Sequence, residues 1–192
     1  MKQPQSTSQH KQVVTIGGGC FWCLEPLFED LVGIEKVEVG YSDGSVENPT
    51  YQQVCTGTTG HAEVAQITFD PQVITLGEIL QIFFTVHDPT TLNRQGADVG
   101  PQYRSIVLYR DDEQKETTEK VIKKIEAAKI WDAPIVTQLV QFQAFYKAES
   151  YHQGYFEANP QAAYCRVVIS PKVAKFRKRY AVRLKSASKG YE

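Results

Sequence analysis

A short β-branched run, a triple glycine and a cysteine precede an amphipathic stretch near the start of the chain. This order constrains the fold more than any other feature. Residues 13–16 predict a buried strand. The apolar residues after Cys20 recur at the spacing of one helix face, and Pro26 is compatible with the first turn of a helix. We therefore expect a strand, a tight glycine turn and then a helix with Cys20 at its N-terminus. The apolar residues of that face are Leu24, Leu27, Phe28, Leu31 and Val32.

The expected position of Cys20 favours a nucleophilic thiol. Unpaired N–H groups and the helix dipole stabilise an anion at a helix N-terminus, so we expect the Cys20 thiol to ionise more easily than a free cysteine. The glycines at 17–19 leave room around the sulfur for a substrate. The alternative is that Cys20 is a small buried hydrophobe and that the glycines only form a tight turn.

Glu63 is a second unusual position, because period-two alternation places it on the apolar face of a strand predicted at 62–69. Burial of a carboxyl group without a cationic partner disfavours its charged form. We therefore expect Glu63 to hold a proton near neutral pH. The alternative is that Glu63 lies at the solvated end of the strand and has no role.

The composition is that of one ordinary globular domain. The 192 residues are 42% hydrophobic, which is enough for one sizeable core, and the net charge is −1. The basic segment after Arg166 predicts a solvated helix face, so we expect no nucleic-acid partner. No apolar run has the length of a membrane span, and we expect no membrane partner. Four cysteines without an export signal indicate a reducing compartment, and we expect the cytoplasm.

The order of the predicted elements is β-α-β, β-α-β, α. It indicates one α/β sandwich with a mixed β-sheet and packed helices. We expect a single catalytic domain over residues 13–185. Flexible tails are expected at residues 1–12 and 186–192, and the default expectation for the assembly is a monomer.

Several motifs together resemble the A-type peptide-methionine sulfoxide reductases, MsrA. The resemblance runs from about Val13 to Ile169, and the combination of GCFW and GHAE at this separation is highly specific. The fold that it implies is a single-domain ferredoxin-like α/β sandwich, which agrees with the element order. The matching motifs are GCFWC at 19–23, NPTYQQVC at 48–55, GHAE at 60–63, QYRS at 102–105 and YHQGY at 151–155.

The resemblance implies a reaction. In that family the cysteine of GCFW, here Cys20, attacks the sulfur of methionine sulfoxide, and the acid of GHAE, here Glu63, gives a proton to its oxygen. The chemistry needs both groups, because sulfoxide oxygen is a poor leaving group unless it is protonated. The products are methionine and a sulfenic acid on Cys20, with selectivity for the S epimer. Substrates are oxidised methionine in proteins, in peptides or free, and no metal or other cofactor is expected.

The resemblance also implies how the substrate is held. Phe21 and Trp22 match the aromatic residues that hold the substrate methyl group in an apolar pocket. Tyr51 and Tyr103 match the tyrosines that hydrogen-bond the sulfoxide oxygen. Asp98 matches an aspartate that organises the polar side of that pocket.

The cysteine that resolves the sulfenic acid stays open between two residues. A second thiol condenses with it to a disulfide, which an external dithiol reduces, and the resemblance implies thioredoxin. Cys165 matches the usual recycling cysteine, in a Tyr-Cys segment that we expect to be flexible. Cys23 stands where the family often has glycine and forms a C-x-x-C with Cys20. We favour Cys165 and keep Cys23 as the alternative, whereas we expect Cys55 to be a buried structural thiol.

Three other functions fit part of the pattern. A thioredoxin-like dithiol oxidoreductase would use Cys20 and Cys23 but would leave Glu63, Tyr51 and Tyr103 without a role. A zinc-binding module would need a second cysteine pair at the appropriate spacing, which the sequence lacks. A module that only binds oxidised methionine would need neither the nucleophile nor the acid.

Overall fold

The computed structural model describes residues 11–185. Within them, six strands form one mixed sheet and two short strands form a separate hairpin. The strands are β1 (Gln12–Gly17), β2 (Ile34–Ser42), β3 (Ala62–Phe69), β4 (Arg94–Gln95), β5 (Asp98–Val99), β6 (Ile106–Tyr109), β7 (Gln138–Gln141) and β8 (Phe145–Lys147). Strand β1 begins at Gln12, inside the expected N-terminal tail. Residues 1–10 and 186–192 of the two expected tails lie outside the described residues.

Six α-helices and several shorter helical turns accompany the strands within residues 11–185. The α-helices are α1 (Phe21–Glu29), α2 (Tyr51–Cys55), α3 (Leu76–Val86), α4 (Asp112–Ala127), α5 (Tyr155–Ala158) and α6 (Ser170–Arg179). Shorter turns are the 3₁₀ segments Pro101–Tyr103, Ser150–His152 and Ala181–Arg183 and the π-helical turn Cys165–Ile169. No helix within residues 11–185 is long and apolar enough to cross a membrane.

The strand order in the sheet is β7-β6-β1-β3-β2-β8. Strand β1 is antiparallel to β3 and β6, β2 is antiparallel to β3 and β8, and β7 extends the sheet parallel to β6. The central strands β1, β2, β3 and β6 with helices α1 and α3 form a β-α-β-β-α-β unit. The predicted fold, a ferredoxin-like α/β sandwich with a mixed sheet, is confirmed.

The core explains why these segments adopt their structures. The predicted apolar face of α1 is buried against the sheet, and Leu24, Leu27 and Phe28 are fully buried. Helix α3 begins with a capping box in which the Thr75 hydroxyl accepts from the Glu78 amide and the Glu78 carboxylate accepts from the Thr75 amide. Burial of Leu24, Leu27 and Phe28 holds α1 against the sheet and so determines where the cysteine turn lies.

Candidate active site

The turn between β1 and α1 places Cys20 at the N-cap of α1, as the sequence predicts. Gly19 has a φ of 87°, a conformation that favours glycine. A Cβ atom at Gly19 would lie 2.6 Å from Cγ of Gln95, and one at Gly18 would lie 2.7 Å from the ring of His87. The glycines are therefore needed for close packing as well as for the turn.

Glu63 lies beside this turn, on β3. Its side chain is 1% exposed, and its Oε2 accepts a hydrogen bond from the Phe21 amide at 3.0 Å. Its Oε1 has no hydrogen-bond partner within residues 11–185. Burial raises the pKa of Glu63 to about 8, although the Phe21 amide acts in the opposite direction. The burial predicted from strand alternation is confirmed, and the carboxyl group can hold a proton at neutral pH.

Cys20 and Cys23 act as one hydrogen-bonded pair. The hydrogen bond from the Cys20 thiol, together with burial and the nearby Glu63, raises the pKa of Cys20 well above its ordinary range. The same hydrogen bond lowers the pKa of Cys23 to about 7, and the charge of Lys172 acts in the same direction. The prediction that Cys20 ionises easily is wrong in the substrate-free site. The two thiols titrate as a coupled pair that loses its first proton near pH 7.

Tyr51 and Tyr103 lie near enough to Glu63 for its charge to act on both hydroxyls. The Gly19 amide donates to the Tyr103 carbonyl at 3.1 Å, which holds the Pro101–Tyr103 turn against the cysteine turn. Burial raises the pKa of both tyrosines, and the Glu63 charge acts in the same direction. Both phenol groups therefore keep their protons and can donate hydrogen bonds.

The aromatic residues after Cys20 lie in a cluster of rings. Phe21 is fully buried, 6.5 Å between ring centroids from Tyr51. Trp22 is half-buried and stacks on Tyr155, with centroids 3.7 Å apart and planes at 8°. The Trp22 indole N–H donates to Nδ1 of His152 at 3.1 Å. Sequence reasoning assigned no role to Tyr155 or His152, and their place in the YHQGY motif was the available signal.

Asp98 lines a cavity of about 230 Å³ that both Cys20 and Cys23 also line. Tyr164 and Lys172 form further parts of its wall. The Tyr164 hydroxyl donates to Oδ2 of Asp98 at 2.7 Å, and its oxygen lies 3.8 Å from Sγ of Cys23. Sequence reasoning did not assign Tyr164, and its position directly before Cys165 was the available signal. Across residues 11–185, no three His, Cys, Asp or Glu side chains come together in a group that could hold a metal ion.

The two remaining cysteines lie in surroundings that differ from the predicted ones. Cys165 is fully buried in the π-helical turn Cys165–Ile169, so the prediction of a flexible Tyr-Cys segment is wrong. This turn continues into α6, and Pro171 lacks the N–H that a regular α-helical bond to Val167 would need. Cys55 is exposed at the end of the five-residue helix α2, so its predicted burial is also wrong. Burial of Cys165 means that the helical turn must open before this thiol reacts outside the core.

Known proteins match this arrangement over nearly the whole chain. The family model for peptide methionine sulfoxide reductase matches residues 12–184. The peptide methionine sulfoxide reductase MsrA of Sulfolobus acidocaldarius is 55% identical over 169 residues, which are 88% of this chain and 95% of that protein.

Solved structures show the same fold. Mxr1 from Saccharomyces cerevisiae in reduced form has a TM-score of 0.74 and 36% identity, over 81% of this chain and 89% of that chain. Mxr1 in complex with Trx2 has a TM-score of 0.52 and 26% identity, over 76% of this chain and 84% of that chain. This chain belongs to the peptide methionine sulfoxide reductase family, and within it to the A type.

Proposed function

We propose that this protein reduces the S epimer of methionine sulfoxide, free or within peptides and proteins, to methionine, and so repairs oxidised proteins. The proposal depends on one observation above all, the buried Glu63 carboxyl that lies next to Cys20 with a pKa of about 8. Dithiol exchange between Cys20 and Cys23 would need no such acid. Loss of a sulfoxide oxygen does need a proton donor.

The substrate is held by groups on both sides of Cys20. The methyl group packs against the rings of Phe21 and Trp22, which form the apolar side of the site. The sulfoxide oxygen points to Glu63 and accepts from the hydroxyls of Tyr51 and Tyr103. These donors are aimed at the position where negative charge develops on the oxygen, so they stabilise the transition state more than the bound substrate.

Asp98 forms the polar side of the site. Its carboxylate is the acceptor for the Tyr164 hydroxyl at 2.7 Å, so it fixes an aromatic ring at the edge of the cavity. Through this hydrogen bond Asp98 organises the polar side of the pocket, which is the role that the family resemblance implies for it.

Reduction begins with the attack of the Cys20 sulfur on the sulfoxide sulfur. The Cys20 proton passes to the Cys23 thiolate along their hydrogen bond, and Glu63 gives its proton to the oxygen. The attack forms a bond between the two sulfurs. The protonated oxygen then moves to the Cys20 sulfur as its bond to the substrate sulfur breaks, and the sulfur–sulfur bond breaks to release methionine and leave sulfenic acid on Cys20. The substrate sulfur gains two electrons and Cys20 loses two, so no further reductant is needed for this step.

The sulfenic acid is then resolved by a thiol. We place Cys23 first, because it lies three residues from Cys20 and the two cysteines line the same cavity: the two thiols form a disulfide and the sulfenic oxygen leaves as water. Cys165 is the second thiol, which exchanges with Cys23 once its helical turn opens. The external reductant is a thioredoxin, and the complex of the similar protein Mxr1 with Trx2 supports this assignment.

The setting follows from this chemistry. Residues 13–185 form the catalytic domain, in agreement with the family match over residues 12–184. All four cysteines are free thiols, and a cycle that ends with reduction by thioredoxin requires a reducing compartment. We place the protein in the cytoplasm, acting as a monomer.

Single-turnover reduction of a peptide with S-methionine sulfoxide, without added reductant, tests the proposal. Free thiols are counted before and after, in the parent and in Cys20→Ser, and the R epimer is the matched control. In the parent we expect methionine to form and two thiols to be lost. In Cys20→Ser, and in the parent with the R epimer, we expect no methionine and no loss of thiols. Absence of methionine from the fully reduced parent would leave dithiol exchange as the function.

A further inference from the structure

Glu25 is a buried acid that the proposed reaction does not use. Its side chain lies on α1 and is 4% exposed. Its Oε1 accepts the amide of Gly154 at 2.9 Å, whereas its Oε2 has no hydrogen-bond partner in the described part of the chain. A carboxyl group in such surroundings costs free energy that an apolar side chain would not. Its contact with Gly154 therefore points to a function in the loop that carries this glycine.

The loop beyond Glu25 delivers an aromatic ring to the site. Gly154 precedes α5 in a left-handed conformation, with φ of 63° and ψ of 27°. The next residue, Tyr155, stacks face to face on Trp22. The amides of Gly154 and Tyr155 both favour the ionised form of Glu25. The carboxyl group thus holds the residues that place the Tyr155 ring.

Helix α1 contacts this loop at more than one point. Trp22 and Glu25 are three residues apart, so they lie on the same side of the helix. His152, from the same loop, accepts the Trp22 indole N–H on Nδ1. The indole is therefore held at its edge by His152 and on its face by Tyr155, and Glu25 anchors the backbone between these two contacts.

We propose that Glu25 is a positioning residue for the pocket that binds the substrate methyl group: by holding Gly154 it keeps Tyr155 flat on Trp22. The inference rests on the proposed function, because it requires Trp22 to face the methyl group. Glu25 does not contact the substrate. Its loss therefore weakens substrate binding and leaves proton transfer from Glu63 unchanged.

The experiment uses the fluorescence of Trp22 as a readout that is independent of activity. The chain has two tryptophans, so a Trp131→Phe background leaves Trp22 as the only one. Glu25→Ala and Glu25→Gln are compared in this background with Glu29→Gln, an exposed acid on the same helix. Acrylamide quenching is measured together with KM and the saturated single-turnover rate on a sulfoxide peptide, with dithiothreitol as reductant.

We expect Glu25→Ala to increase the quenching of Trp22 and to raise KM about tenfold, the effect of losing a hydrogen bond to a buried carboxylate. The saturated single-turnover rate stays within about twofold of the parent. Glu25→Gln keeps an acceptor oxygen, so its KM lies between that of the parent and that of Glu25→Ala. The KM and the quenching of Glu29→Gln match those of the parent. Tyr155→Leu reproduces the rise in KM and adds nothing to Glu25→Ala, because both changes remove the same stack.

Unchanged quenching and KM in folded Glu25→Ala, or in Glu25→Gln if the alanine variant does not fold, would overturn the inference. A lower melting temperature with unmoved Trp22 quenching would overturn it as well, since Glu25 would then be only structural. A parent that forms no methionine would contradict the proposed function instead. The quenching comparison would still decide whether Glu25 controls the position of Trp22.

Discussion

Two groups at the cysteine turn have the reverse of their ordinary protonation. Ordinary pKa values would leave a carboxyl group ionised and a thiol protonated at neutral pH. A carboxyl group, Glu63, keeps a proton at neutral pH because it is buried, whereas a thiol, Cys23, gives one up because Cys20 donates to it. A sulfoxide needs this combination of an acid for its oxygen and a thiolate for its sulfur. The site therefore holds both reactive forms at once only in a narrow range of pH.

The location of the thiolate can be measured by the pH dependence of thiol alkylation. In the parent we expect one reactive thiol with a midpoint near pH 7, the pKa of Cys23. In Cys23→Ser this titration disappears, because burial and Glu63 raise the pKa of the remaining Cys20 thiol. A midpoint near 7 that survives in Cys23→Ser would place the thiolate on Cys20, as the helix N-terminus alone predicts.

Glu63→Gln should lower the single-turnover rate of methionine formation by about 10²–10⁴-fold, the usual contribution of a general acid. The parent should show a bell-shaped pH profile of kcat/KM that rises near pH 7 with the thiol pair. It should fall above about pH 8 as Glu63 loses its proton. A rate in Glu63→Gln close to that of the parent, measured by quenched-flow analysis of methionine, would exclude Glu63 as the proton donor.

The local sequence pattern was enough to predict the positions of some of these residues, but it was not enough to predict their protonation. Strand alternation predicted the buried face of Glu63, because that pattern determines which side of a sheet a residue faces. The glycine turn predicted the N-cap position of Cys20. The lowered pKa of Cys23 could not be predicted, since it depends on how the Cys20 thiol is oriented towards Cys23 and on Lys172, which only the folded chain brings to the first helix.

At the scale of elements, the helical turn with Cys165 is the segment on which the proposed end of the catalytic cycle depends. Directly after Cys165, the β-branched residues Val167, Val168 and Ile169 give no strong helix signal, although a helix face is predicted for the basic segment that they open. Packing determines the outcome instead, because Ile169, Val173 and Phe176 are all buried in the core. Tertiary contacts of this kind are absent from the local pattern, so the burial of Cys165 was not predicted.

This arrangement predicts different roles for the two resolving thiols. In single turnover we expect Cys165→Ser to lose two thiols at the rate of the parent, with a Cys20–Cys23 disulfide on peptide mapping. Cys23→Ser should form its disulfide with Cys165 more slowly, because the turn must open first. Methionine formation is followed separately from thiol loss, since Cys23 also takes the Cys20 proton.

The exposed Cys55 supplies the control for this comparison, and Cys55→Ser should match the parent. The opposite result would be a stable sulfenic acid in Cys165→Ser and a disulfide formed at the parent rate in Cys23→Ser. That result would make Cys165 the direct partner of Cys20, as the family resemblance first suggested.

At the scale of the whole molecule, the buried titratable groups connect the site to the stability of the fold. Burial raises the pKa of Glu25 to about 7 and that of Glu63 to about 8, so between pH 4.5 and these values the folded state binds more protons than the unfolded state. The free energy of unfolding then falls as the pH rises. His87 acts with the opposite sign, because burial lowers its pKa to about 4 and its contribution to stability increases up to about pH 6.5.

Because these contributions have opposite signs, the quantity to measure is the difference in the free energy of unfolding between the parent and a variant. We expect Glu25→Gln to gain stability relative to the parent as the pH rises from about 4.5 to 7, by about 3 kcal/mol in total, and then to remain constant. For Glu63→Gln the gain should continue to about pH 8. Urea unfolding at several pH values checks this, with the exposed Glu116→Gln as control. A pH-independent difference for Glu25→Gln would mean that the Glu25 carboxyl keeps its ordinary pKa in the folded protein.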